Sequence, residues 1–500
     1  MPKDKFYITT TLPYVNADPH IGFALEITQA DIIARYHKEI LGEEVVFNTG
    51  TDEHGQKIYQ KALEAGKELQ AYVNENAAKF DRLKAALNLS YTNFIRTTDP
   101  RHIAAAGEFW KRCEKNGDIY KKNYKIKYCV GCELEKAEGE LERNKCPIHP
   151  NLELEIRKEE NYFFKFSKYQ EPLIKLYNQN PDFVVPNFRF NEIKRFVNWG
   201  LRDFSVSRLR EKMPWGIPVP GDEDHVMYVW FDALINYIST LGWPEDKSKI
   251  KNKKSKFEEY WGTKEYPNAI QIAGKDNLRQ QSAMWQAMLM SAGLPNSKQI
   301  IIHGFINSGG QKMSKSLGNV ADPYKILNGL QAKGLSGDQA TDALRYYLAR
   351  EISPFEDSDY SWKRLVGSYN AGLANGLGNL TSRILKMASL FSLSLDGRRQ
   401  GEGESNKINK YIEKYELQKA VDEIWKKIKS CDEYIQKTQP FKAIKTDAEK
   451  AKKDIEYLLS ELHQVAVSLR PFLPYTSERI LKVLKEPTLE NIPKLFPRIE

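Results

Sequence analysis

The chain has 500 residues, too many for one compact core and enough for two to four domains. Hydrophobic residues make up 41% and charged residues 28%, which excludes a mostly disordered or fibrous chain, and no run of about 18 apolar residues is present to span a membrane. The formal charge of +9 permits a polyanionic partner, or simply a solvated basic surface, and five cysteines are too few for a disulfide framework.

The opening MPKDKFYITT lacks the charged-then-apolar build of a secretory signal, so a cytoplasmic location is expected. Phe6 to Thr10 reads as a strand, and from Pro19 the residues Ile21, Leu25, Thr28, Ile32 and Tyr36 recur at helical spacing. Val45-Val46-Phe47 reads as the next strand. A strand, a crossover helix and a second strand predict a doubly wound, parallel, Rossmann-like sheet that binds its ligand at the carboxyl ends of the strands. The pattern resumes with strands at His225 to Val229, Ala269 to Ala273 and Gln299 to His303. The cysteine-, lysine- and proline-containing stretch between breaks the alternation and reads as an insertion. Beyond about residue 325 the chain turns helical, with one stripe of Leu365, Tyr369, Leu373, Leu377, Leu380 and Ile384 and two later helical stretches, 407–437 and 446–484. The expected divisions are 1–115 and 221–325 for the two halves of the α/β domain, 116–220 for the insertion, 326–358 for a linking stem, and 359–500 for an all-α bundle.

Three motifs carry chemistry. Asp18-Pro19-His20-Ile21-Gly22-Phe23 opens a helix, whose free N–H groups and positive dipole attract phosphate. There His20 adds a donor, and Gly22 leaves room for a flat base. Lys312-Met313-Ser314-Lys315-Ser316 follows a late strand and Ser308-Gly309-Gly310, so two lysines on a loop can close on a triphosphate. Cys129-Val-Gly-Cys132 and Cys146-Pro-Ile-His149 are two pairs, each with two intervening residues. That is the spacing of a tetrahedral zinc site. Four protein ligands leave no open position, so structural Zn²⁺ is expected. Cys113 and Cys431 read as ordinary buried residues.

The first two motifs resemble the paired signatures of class I aminoacyl-tRNA synthetases. Further stretches narrow the resemblance to the methionyl-tRNA synthetase family and extend it over nearly the whole chain. They are Leu12-Pro13-Tyr14-Val15-Asn16, Gly50-Thr51-Asp52-Glu53-His54-Gly55, Tyr228 to Tyr237, Gly274-Lys275-Asp276, the Cys3His knuckle of the single-zinc form, and Asn379-Leu380-Thr381-Ser382-Arg383. The resemblance implies ATP-dependent, Mg²⁺-assisted ligation of L-methionine to tRNA(Met) through methionyl-adenylate, by a chain expected to be a monomer. It further implies a methionine pocket of Leu12, Tyr14, Trp230, Ala233, Leu234, Tyr237 and Gln281, with Asp52 holding the ammonium. An ATP site would comprise His20, Gly22, Phe23, Lys275, Asp276, Lys312, Lys315 and Ser316, with His20, Lys312 and Lys315 catalytic. Arg208 lines up with an arginine near the substrate carboxylate and phosphates. Asn379, Arg383 and Phe441 would read the anticodon, the phenyl ring standing where the family usually has tryptophan.

Two departures from the family pattern stand out. Phe23 replaces a second signature histidine, and Gln280-Gln281 replaces Phe-His against the substrate side chain. Gln281 can still hydrogen-bond Tyr237, whereas Gln280 removes apolar wall. Alternatives are a class I synthetase for another amino acid and a catalytically weakened tRNA-binding relative. The valine, isoleucine and leucine enzymes usually carry a large editing insertion for which this chain has no room. The cysteine enzyme uses an open zinc site.

Overall fold

Short runs rich in β-branched and aromatic residues form β1 (Lys5–Thr10), β2 (Glu44–Thr51) and β3 (Asn93–Arg96). In the computed structural model, which describes residues 4–132, 134–136, 141–245, 254–313, 319–391, 393, 405–485 and 494–500, these strands build one side of a six-stranded sheet. Across the sheet the order is β3, β2, β1, Ala269–Gly274, Gln299–His303 and Val184–Val185. Every neighbouring pair is parallel, as the α/β reading requires. β1 is the point from which the chain winds outward in both directions, where such sheets open a crevice at their carboxyl ends.

The pleat divides the core in two. Phe6 and Ile8 enter one apolar cluster and Tyr7 enters the other, on the opposite face. The first cluster runs without a break through α1 (Ile21–Arg35) into the C-terminal helices, from Ile32 to Leu344, Leu373 and Leu462. This explains why α1 is buried on almost every side, Glu26, Gln29 and Asp31 included, rather than along the single stripe its apolar spacing predicts. Arg345 fixes the junction. Its fully buried guanidinium donates to Asp31 at 2.8 Å and to the backbone oxygens of Leu87, Pro471 and Phe472.

Two expectations are corrected. Val184–Val185 lies inside the stretch read as an insertion, yet it pairs with Ile300 and Ile301 at the sheet edge. A two-residue strand carries no periodicity to detect. The strand expected at His225 runs Asp222–Met227 and sits in a separate three-stranded antiparallel sheet, paired with Ser207–Leu209. Its apolar run matches a buried strand of either kind. The insertion itself is antiparallel, with Ile119–Cys129 paired along its length with Glu155–Phe164.

In the bundle, the stripe from Leu365 to Ile384 is buried at 0–1% exposure throughout. The stretch 407–437 is two helices, Ser405–Glu413 and Leu417–Thr438, parted where Tyr415 takes φ +60°. The stretch 446–484 is likewise Ala448–Leu469 and Pro474–Lys485, parted where Pro471 and Pro474 cannot continue a helical ladder. Among the described residues no helix is long and apolar enough to cross a membrane.

Candidate active site

The carboxyl ends of β1, β2, Ala269–Gly274 and Gln299–His303 open on one cavity of about 850 Å³. Its lining includes Leu12, Tyr14, Asp52, Trp230, Ala233, Leu234, Tyr237 and Gln281, together with His20, Gly22, Phe23, Lys275 and Asp276. Residues drawn from five separate stretches of sequence therefore meet in one space.

At one end of the cavity, backbone pairing straps the segment after β1 onto the end of β2. Asp52 donates its N–H to Pro13 and accepts from Val15, at 3.0 and 3.2 Å. That brings Leu12 and Tyr14 beside the Asp52 side chain, which is only 4% exposed. The wall opposite is the short helix Val229–Leu234 and the turn after it. Asp232 on that helix is fully buried. It accepts from His54 Nδ1 at 2.7 Å and from His102 Nε2 at 2.8 Å. Burial alone would raise its pKa, and the two imidazoles outweigh it, so the carboxyl is held low. His54 stands two residues beyond Asp52, so this buried triad ties the end of β2 to the helix carrying Trp230, Ala233 and Leu234.

Gln281 donates to the Tyr237 hydroxyl at 2.7 Å, as its sequence position allowed. Its own carbonyl accepts from Gln271 Nε2 at 3.0 Å, and Gln271 in turn accepts from the Ser297 hydroxyl. Because Tyr237 accepts from Gln281, its own O–H proton is left to point elsewhere. Both glutamines lie on one wide, π-helical turn, Gln280–Met284, a distortion common at functional sites.

At the other end, His20 caps α1. Its Nδ1 accepts the Gly22 N–H at 3.1 Å, so the neutral ring carries its proton on Nε2. The imidazole opens on the cavity, yet the protein packed around it pushes its pKa down, against the pull of Asp276 and Glu26. A methyl group at Gly22 would stand 2.9 Å from the His20 ring, so glycine there lets the imidazole keep its place. Phe23 is 8% exposed and meets Phe80 edge-on at 5.6 Å. Lys275 turns its ammonium to Asp357 at 2.6 Å. Lys312 closes a two-glycine hairpin by pairing with Asn307. The next residue, Met313, lines the cavity and accepts the Ala321 N–H on its sulfur at 3.4 Å. Lys315 and Ser316 lie outside the described residues.

Among the cavity residues that escaped the sequence reading, Glu26 and His303 form a buried pair. Glu26 accepts from Thr11 N–H at 2.7 Å and from His303 Nε2 at 2.9 Å, while His303 Nδ1 donates to Gly304 O at 2.7 Å. Both ring nitrogens face acceptors, which calls for the imidazolium. Burial alone would lower the His303 pKa, but Glu26 outweighs it and the net shift is upward. The signal available was position, since a histidine ends the strand Gln299–His303. Arg208 does not line the cavity. It is buried over the Tyr228 ring at 4.0 Å.

The ligand atoms of Cys129, Cys132, Cys146 and His149 all lie within 4.8 Å of one another. His149 Nδ1 is 3.2 Å from Cys132 Sγ and 3.8 Å from Cys129 Sγ. Three thiols and one imidazole converging at that scale fit a tetrahedral zinc ion. A methyl at Gly131 would overlap the His149 ring, so the knuckle closes only with glycine there. Lys57 holds it to the α/β body by donating to Gly131 O at 2.7 Å. Cys113 and Cys431 are simply buried. In the bundle, Asn379 is exposed, Arg383 pairs with Asp432 at 2.7 Å, and Phe441 is 47% exposed.

The family model described as tRNA synthetases class I (M) matches residues 6–151 and 131–385, and that of the anticodon binding domain of methionyl tRNA ligase matches 402–495. The chain belongs to the methionyl-tRNA synthetase family. Among its relatives, the methionine–tRNA ligase of Thermosynechococcus vestitus is 40% identical over 95% of this chain and 89% of its own. That of Thermotoga maritima is 39% identical over 96% and 75%. The methionyl-tRNA synthetase of Mycobacterium tuberculosis in complex with methionyl-adenylate superimposes with a TM-score of 0.89 at 32% identity, covering 99% of this chain and all of that one. Membership in the methionyl-tRNA synthetase family makes this chain an aminoacyl-tRNA ligase with a Rossmann-like catalytic region and a helical anticodon-binding region.

Proposed function

We propose that this cavity activates L-methionine with ATP and passes the methionyl group to tRNA(Met). The observation that carries the reading is the convergence of a helix-capping imidazole, the buried Asp52 carboxylate and an aromatic-aliphatic wall on a single space at the strand ends. Asp52 receives the ammonium. Leu12, Tyr14, Trp230, Ala233, Leu234 and Tyr237 enclose the thioether, a soft, flexible chain suited to such walls, and Gln281 sets the orientation of the Tyr237 hydroxyl.

The methionine carboxylate attacks the α-phosphate and pyrophosphate leaves. This is a step governed by positioning and charge rather than covalent help. His20 donates from Nε2 to the phosphate oxygens, Gly22 and Phe23 border the nucleotide, and Asp276 accepts from the ribose hydroxyls. Lys312, Lys315 and Ser316 complete the phosphate contacts. Lys275 acts here through its place in the strand-end turn, because its ammonium is engaged by Asp357. Mg²⁺ would travel with the triphosphate and neutralise its charge. The 2′-hydroxyl of the terminal adenosine then attacks the adenylate carbonyl, the acyl–phosphate bond breaks, and AMP leaves as the hydroxyl proton is lost. Zn²⁺ on Cys129, Cys132, Cys146 and His149 would hold the knuckle folded. Asn379, Arg383 and Phe441 would meet the anticodon, Arg383 exchanging Asp432 for a base edge and Phe441 stacking. The chain acts as a monomer in the cytoplasm.

Amino-acid-dependent ATP–pyrophosphate exchange tests the reading. Exchange driven by methionine above all other amino acids is the expected result. A different preferred amino acid, or tRNA binding with no exchange at all, overturns it in favour of another class I specificity or a weakened relative.

A further inference from the structure

The helix Asn187–Asn198 runs outward from the cavity, with Arg189 and Glu192 among the cavity's lining residues. Its inner side is settled by Phe190, Ile193 and Val197, all at 0–1% exposure. Opposite them stand Phe188, Arg195 and Trp199. At 3.6 residues per turn, spacings of seven and eleven residues bring the three onto one line, which extends about 16 Å. Phe188 is 46% exposed and Trp199 90%, and Arg195 between them is exposed as well. A single exposed aromatic needs no explanation. Two aromatics aligned with a cation, starting at the mouth of a substrate cavity, form a continuous feature.

The charge on this helix selects the occupant. Arg189, Lys194 and Arg195 outnumber Glu192, and Glu192 is already neutralised by Arg189 at 2.6 Å. A single-stranded nucleic acid is bound by aromatic faces for its bases and cations for its phosphates, whatever its sequence. We infer that the outer face of this helix is a stacking track for the single-stranded 3′ end of the tRNA, with Trp199 and Phe188 receiving bases and Arg195 a phosphate between them. The inference rests on the proposed function, since only a tRNA substrate must deliver its terminal ribose into this cavity.

The test compares wild type, Trp199→Ala and Trp199→Phe. Methionine-dependent pyrophosphate exchange, which needs no RNA, stays within about two-fold for both variants. Charging of intact tRNA by Trp199→Ala falls roughly 10-fold in kcat/KM, the scale of one lost stacking contact, and Trp199→Phe recovers most of it. tRNA trimmed of its single-stranded 3′ end binds wild type and Trp199→Ala equally. Unchanged charging by Trp199→Ala overturns the track and leaves the face to a protein partner. A binding loss that persists with trimmed tRNA overturns it too, because the tryptophan would then touch duplex. A wild-type chain without methionine-dependent exchange would overturn the functional reading alone, and the binding comparison would still decide the track.

Discussion

The two ends of the cavity are built differently. At the amino-acid end, Tyr237, Gln281 and Asp232 are all at 2% exposure or less, and each is held by hydrogen bonds to partners from distant strands and helices. At the nucleotide end, His20 is exposed, Lys275 sits over the Phe305 ring at 4.5 Å in a partly open ion pair, and the contacts come from a helix start and hairpin loops. The difference suits the roles proposed for the two ends. A thioether carries no charge and is told from its neighbours by shape, which demands fixed walls. A triphosphate is bound through charge, which tolerates looser groups and lets product leave.

The largest test of this contrast is Asp52→Ala. Removing the buried carboxylate proposed to face the ammonium lowers kcat/KM for methionine in exchange roughly 1000-fold, while KM for ATP stays within a few-fold. His20→Ala lowers kcat roughly 100-fold, as expected for one preorganised donor to a charged transition state, and leaves methionine KM unmoved. An equal rise in both KM values for either variant would erase the division between the ends.

The junction with the bundle gives a pH test of the framework beneath both ends. Asp342 is fully buried, and burial pushes its carboxyl up to about 6 although Thr476 donates two hydrogen bonds to it. A folded-state pKa raised above the unfolded value of about 3.9 means the native chain holds a proton the unfolded chain releases. Stability from this group is greatest below about pH 4 and falls by about 2 kcal/mol as pH rises to about 6. Asp342→Asn flattens that part of the unfolding profile, and an unchanged slope would contradict the raised value. Gln281→Leu should raise methionine KM roughly 10-fold through the lost bond to Tyr237, with ATP KM constant. Smallest is Phe23→His, which keeps exchange within about two-fold and costs about 1 kcal/mol of stability, the scale of its edge contact with Phe80. A large loss of exchange there would make the phenyl ring part of the nucleotide end.

What could be read beforehand was whatever a short spacing specifies. The Cys-x-x-Cys and Cys-x-x-His pairs announce themselves locally, whereas His20 gains meaning only beside the Lys312–Ser316 motif, and Asp52, at the end of a strand visible in its apolar run, takes its role from the family resemblance. The Glu26–His303 pair could not be seen, because 277 residues separate its members and only the strand order brings them together. The same holds for Asp232 with His54 and His102, which unites three segments through a fully buried carboxylate. Val184–Val185 was too brief to leave a pattern. The Asp222–Met227 strand was visible as a strand but not as antiparallel, because partner choice is not written in the alternation of one segment.

One consequence follows from α1 being enclosed on almost every side. Its first turn sets the aim of the His20 ring, and its flank is braced by Arg345 and the aliphatic wall of the C-terminal helices. A shortened chain that stopped before those helices would bare a broad greasy surface and leave Asp31 with Arg35 and Ser90 but without Arg345. Engineers hoping to harvest the chemistry as a miniature would lose the aim along with the missing half.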